Sequence, residues 1–207
     1  MQSKPWYGVL LISVLACAGG PEPAIGQAGA NAQQDSARKL VPAGFGTLKQ
    51  DEFTVQLRND ALQIKVTPLA ESVIRTAAPD TYDRLRKMAE ARRQEAERNA
   101  GANNNLELFL VSFFSYTPDT EYQPEALQVT HHGRQMRAVA ILPITAGFGQ
   151  QRLKQQVNQM AVYAFEGPIE YDQPITVRYN NDQSDAWSGI LQKLEIERAK
   201  ILARAKS

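Results

Sequence analysis

The chain has 207 residues, 43% hydrophobic and 22% charged, and its 23 Lys and Arg nearly balance 22 Asp and Glu, leaving a net charge of +1. That composition excludes a globally disordered or collagen-like chain and suits one compact domain with an appendage. Near-neutrality also removes the electrostatic case for a nucleic-acid partner, which ordinarily needs a strongly basic face.

The appendage is N-terminal. Lys4 is the sole charge before Glu22, and it precedes the apolar run from Trp6 to Ala16. A short positive stretch followed by an apolar core of about 7–15 residues is the layout of a secretory signal peptide. The run is too short for a membrane-spanning helix, which needs about 20 apolar residues. Cys17, the one cysteine of the chain, closes the run in Val14-Leu15-Ala16-Cys17. This segment resembles the lipobox of bacterial lipoproteins. The resemblance covers residues 4–17 only. It implies removal of a signal peptide spanning 1–16, a diacylglyceryl group on the Cys17 thiol, and anchoring in a membrane of the cell envelope. The residues alone leave open soluble secretion, with cleavage at Ala16-Cys17-Ala18 or among the small residues from Gly26 to Ala32, and a retained anchor. On any of these readings the folded part carries no cysteine and must stand on its hydrophobic core.

Residues 17–50 read as lipid attachment and tether, because Ala18 to Gln34 is rich in Ala, Gly, Gln and Pro and has no aromatic residue. A single globular domain is expected over 51–207. Its first signal is period-two alternation: Phe53, Val55 and Leu57, then Leu62, Ile64 and Val66, flank a turn at Asn59-Asp60. A helical insert is expected over about 69–100, with Pro68 and Pro79 placed to open helices. Tyr82, Leu85, Met88 and Ala89 give it a narrow apolar stripe, and Ala91 to Asn99 reads as solvated. The interleaving of Arg84, Arg86, Lys87, Arg92, Arg93 and Arg98 with Asp83, Glu90, Glu95 and Glu97 reads as an ion-paired solvent face. Asn103-Asn104-Asn105 marks a loop. Leu106 to Tyr116 is apolar on both faces, as a covered central strand would be. Four further strands are expected at Ala126–Thr130, Gln135–Ile144, Val157–Phe165 and Pro174–Tyr179. A long C-terminal helix follows, capped by Asp182 or Ser184 and anchored by Trp187. Seven short strands with this insert and helix point to an α+β, β-rich chain built as a seven-stranded antiparallel sandwich.

The catalytic inventory is sparse. A Ser/His arrangement would have to use His131 or His132, and the chain lacks a Gly-x-Ser-x-Gly elbow. Adjacent residues on a strand point to opposite faces, so His131 and His132 are not expected to share a metal, and they read as a polar hairpin turn. Glu166, Glu170 and Asp172 bracket Gly167-Pro168 between strands and form a second candidate loop. Ala-Gly-Phe-Gly occurs at residues 43–46 and 146–149, where a Phe between glycines serves a turn or plugs an apolar edge. No cofactor or metal is implied. The reading that follows is an exported, lipid-anchored envelope protein, acting as a non-catalytic binding or scaffolding module. Its partners are the membrane, through the lipid, and another envelope protein. Candidate contact residues are His131, His132, Glu166, Glu170 and Asp172. An exported hydrolase using carboxylates is the alternative.

Overall fold

The computed structural model describes residues 40–101 and 105–206. The signal segment, Cys17, the tether up to residue 39 and Asn103-Asn104 lie outside the described residues.

All seven strands expected from alternation are present, as β1 (Val55–Arg58), β2 (Leu62–Pro68), β3 (Leu106–Ser115), β5 (Leu127–His131), β6 (Arg134–Pro143), β8 (Asn158–Glu166) and β9 (Ile175–Tyr179). An eighth, β10 (Asp182–Ser184), joins them in one antiparallel sheet of order β1-β2-β3-β8-β6-β5-β9-β10. The architecture is thus α+β and strand-rich, but it departs from a clear seven-stranded sandwich. The sheet is nearly closed, because β1 at one edge approaches β10 at the other and Asn59 Nδ2 donates to Asp182 Oδ2 over 2.9 Å. Asp182 and Ser184, expected to cap the last helix, are therefore spent in a strand. A two-stranded ribbon, β4 (Thr120–Glu121) with β7 (Arg152–Leu153), stands apart from the sheet.

Curvature has a local cause. β6 pairs with β5 through Arg134–Arg137 and with β8 through Ala138–Pro143, and a bulge between Ala138 and Ala140 marks the change of partner. A bulge bends its strand and increases local twist, which helps to turn the sheet back on itself.

Side-chain alternation along β3 sends Phe109 and Phe113 into the barrel. Phe109 meets Phe165 edge-on at 5.3 Å, and Phe113 packs on Tyr122 at 4.8 Å. The opposite face of β3, with Leu108 and Leu110, is also buried. Two helices form the insert, α1 (Glu71–Ile74) and α2 (Pro79–Ala100), and α2 lies against β3, β6 and β8. Its distal half is solvated at most positions, as expected, but touches the sheet along one line. Ala96 is fully buried, Arg92 donates to the Pro143 carbonyl at 3.3 Å, and Arg93 to that of Leu106 at 3.4 Å. The periodicity missed this because a lone alanine among charges carries little apolar signal.

The C-terminal helix α3 (Trp187–Arg204) packs on β9 and on a short 3-10 turn at Gln50–Phe53. Within the described residues the packed chain begins before residue 51. Val41 and Leu48 are buried, Leu48 N donates to Thr76 O at 3.1 Å, and Thr47 bonds to Glu197 of α3 through both N and Oγ1. Gly46 allows this docking, since a Cβ there would lie 2.3 Å from the Thr76 carbonyl oxygen.

Candidate functional site

The hairpin between β5 and β6 builds the site. His131 pairs with Arg134, so the connecting loop is just His132-Gly133, with φ of 49° and 74°. Two consecutive positive φ values are what the tight I′ hairpin turn requires, and Gly is the natural second residue. His132 accordingly leaves the strand before alternation can send it to the opposite face. The two imidazole rings stand 4.1 Å apart, centroid to centroid.

The β8–β9 loop supplies the third group. Gly167, with φ of 98°, turns the chain out of β8, and its N–H donates to Asn105 O at 2.9 Å. The loop then passes the hairpin: Glu170 N–H donates to His131 Nε2 at 3.3 Å, and Glu170 Oε2 lies 3.2 Å from His132 Nε2. One donor atom each from His131, His132 and Glu170 falls within 4.8 Å of the other two. His131 is buried at 6% exposure, whereas the His132 and Glu170 side chains are 58% and 53% exposed. Burial, and then the neighbouring His132, push the His131 imidazole below its ordinary pKa, against the opposing pull of Glu170 and Asp172. His131 Nε2 accepts the Glu170 N–H and so carries no proton in this arrangement.

Of the five residues singled out in sequence, three converge here and Asp172 acts on His131 through its charge. Glu166 does not join them, because it closes β8 opposite Leu106.

Tyr171, the neighbour of Glu170, faces inward. Its hydroxyl donates to Glu107 Oε2 at 3.1 Å, and its ring contacts Phe109 at 6.1 Å and Trp187 at 5.9 Å. Desolvation pushes the Glu107 carboxyl up to about 7, with Tyr171 and Arg93 opposing. Sequence reasoning passed over Glu107, although a carboxylate inside Leu-Glu-Leu-Phe-Leu-Val is itself a signal.

At the opposite end of β5 and β9 lies a polar groove of about 370 Å³, lined by Glu121, Gln123, Gln151, Arg152, Tyr179 and Asn180 among others. Gln151 and Asn180 both have left-handed backbones, with φ of 54° and 50°. Three separated segments assemble this groove, and no local motif announces it.

No family model and no curated protein sequence matches the chain. A solved structure described as a functionally unknown protein from Listeria monocytogenes EGD-e is similar at 11% identity and a TM-score of 0.32, over 69% of this chain and 78% of that one. At that TM-score the likeness supports neither a shared fold nor a shared activity.

Proposed function

We propose that this chain is an exported, lipid-anchored protein of the cell envelope that acts as a non-catalytic binding module, with the His131–His132 hairpin and the Glu170 loop as its contact surface. The convergence of His131, His132 and Glu170 carries the binding half of this reading. A buried imidazole beside an exposed imidazole and carboxylate is a polar cluster placed where a partner or ligand can reach it. The anchoring half rests on Val14-Leu15-Ala16-Cys17 and the Gly/Ala/Gln/Pro-rich segment after it. Among the described residues no helix is long and apolar enough to cross a membrane.

Intact mass of the protein from host membrane and soluble fractions tests the anchor. The expected species begins at Cys17, carries a diacylglyceryl adduct and sits in the membrane fraction. Cys17→Ala is expected to abolish the adduct. A species cut beyond Cys17 and recovered in the soluble fraction overturns the anchor.

The alternative, an exported hydrolase, has one observation in its favour. Glu107, half-buried and with its carboxyl pushed up to about 7, is a carboxyl that can hold a proton near neutral pH, as a general acid must. It requires turnover of an ester or glycoside substrate that Glu107→Gln eliminates while the fold is retained.

A further inference from the structure

The cluster at the hairpin has a more specific chemistry than a polar contact surface. Two imidazoles and one carboxylate are the donor set that zinc accepts in open sites, where a fourth position is left for water or a ligand. We propose that His131, His132 and Glu170 bind a divalent transition-metal ion of the zinc class, an inference that rests on reading this loop as the binding surface.

Distances come first. Bonds of about 2.0–2.2 Å in a tetrahedral site put neighbouring donors roughly 3.3–3.5 Å apart. Glu170 Oε2 and His132 Nε2 are already at 3.2 Å, and all three residues place a donor within 4.8 Å of the others. The remaining contraction falls to the side chains of His132 and Glu170, which are exposed and free to adjust.

The site is also partly preorganised. The turn fixes His132 by its left-handed backbone, and burial holds the His131 ring in place. His131 Nε2 accepts the Glu170 N–H at 3.3 Å, so it carries no proton in this arrangement. Metal binding exchanges that long hydrogen bond for a coordinate bond. Charge favours a cation, because the Glu170 carboxylate stands 3.2 Å from the His132 ring nitrogen at the open side of the cluster. The exposed side between His132 and Glu170 leaves room for a fourth ligand from solvent or a bound partner. Imidazole-rich sites favour zinc, copper and nickel over magnesium or calcium, which prefer all-oxygen sets.

Isothermal titration of the chelator-treated full chain with zinc ions tests this. One ion per chain is expected, together with a rise in Tm at saturating zinc. His132→Ala and Glu170→Gln, at exposed positions where the fold is kept, should each weaken binding at least tenfold and remove the Tm rise. Magnesium should give neither effect. Absence of saturable zinc binding, or binding that both variants leave unchanged, overturns the site. The outcome is independent of lipidation, so failure here leaves the anchored-module reading standing, and a soluble mass without adduct leaves the zinc site standing.

Discussion

The Tyr171 hydroxyl donates to the Glu107 carboxyl over 3.1 Å inside the barrel, yet the bond does not offset the desolvation that pushes the carboxyl from 4.5 to about 7. Between those values the folded chain holds a proton that the unfolded chain has released. Stability therefore falls as pH rises through that window, and the cost above it reaches at most about 3.5 kcal/mol, at ~1.4 kcal/mol per pKa unit. Glu107→Gln keeps an acceptor for Tyr171 and removes the charge. It should be more stable than the parent at pH 8 and equal to it below pH 4.5. Urea denaturation at several pH values measures this, and a variant less stable than the parent at pH 8 defeats it.

Glu197 shows the opposite balance. Burial works against its charge, but Arg204 at 3.0 Å and the two Thr47 bonds hold its pKa below the usual carboxylate value of 4.5. Its contribution is present above that value and is lost as pH falls through the lowered folded one. Glu197→Ala orphans the Thr47 N–H and removes the Arg204–Glu197 ion pair, at a cost of about 2–4 kcal/mol. Glu197→Gln, which still accepts from Thr47, should cost less. Limited proteolysis should then cut within residues 40–50 in the Ala variant first.

Most of the fold was legible because seven strands announce themselves by period-two alternation or by a dense apolar run. What was not legible lacks that signal. β10 is Asp-Gln-Ser, and the ribbon strands β4 and β7 have two residues each, so pairing partners alone define them. Closure is likewise tertiary, since it depends on the bulge at Ala138/Ala140 and on β1 meeting β10. The docking of residues 40–50 turns on contacts with Glu197, some 150 residues away.

Ala96 provides a sharp test of how α2 is seated. It is fully buried two residues beyond the exposed Gln94. Ala96→Leu forces extra methylenes into a closed contact and should destabilise by about 1–3 kcal/mol. Gln94→Leu should fall within about 0.5 kcal/mol of the parent. Equal effects in chemical denaturation would mean that Ala96 is not seated in a closed contact.

The site was legible in residue types and illegible in geometry. His131, His132 and Glu170 attract notice in the sequence, but strand alternation on its own parts the histidines. One position decided the matter: the turn begins at His132, so alternation ends at His131. The positive φ of Gly133 adds a prediction. Gly133→Ala places a Cβ on a φ of 74° and should cost about 1 kcal/mol, with hydrogen exchange rising at the β5–β6 hairpin. An unchanged Tm and exchange pattern would show that the turn relaxes without strain.

The two Ala-Gly-Phe-Gly segments read alike in sequence and do different work. Phe148 is 3% exposed and lies within 6.1 Å of Phe113, 5.7 Å of Tyr122 and 6.5 Å of Tyr163, ring to ring, while Tyr122 OH donates to its carbonyl at 2.7 Å. Phe45, by contrast, is 43% exposed, and its carbonyl rather than its ring is engaged, by Arg204. Phe148→Ala opens a cavity in the aromatic cluster that closes the groove end of the barrel, at a cost of about 3–5 kcal/mol. Phe45→Ala removes apolar surface that is partly in water and should cost under about 1 kcal/mol. Urea midpoints of the two variants decide the point. Similar losses would mean that residues 43–46 hold the domain together through the Phe45 ring, and that the N-terminal segment is seated by packing rather than by Thr47 and Glu197.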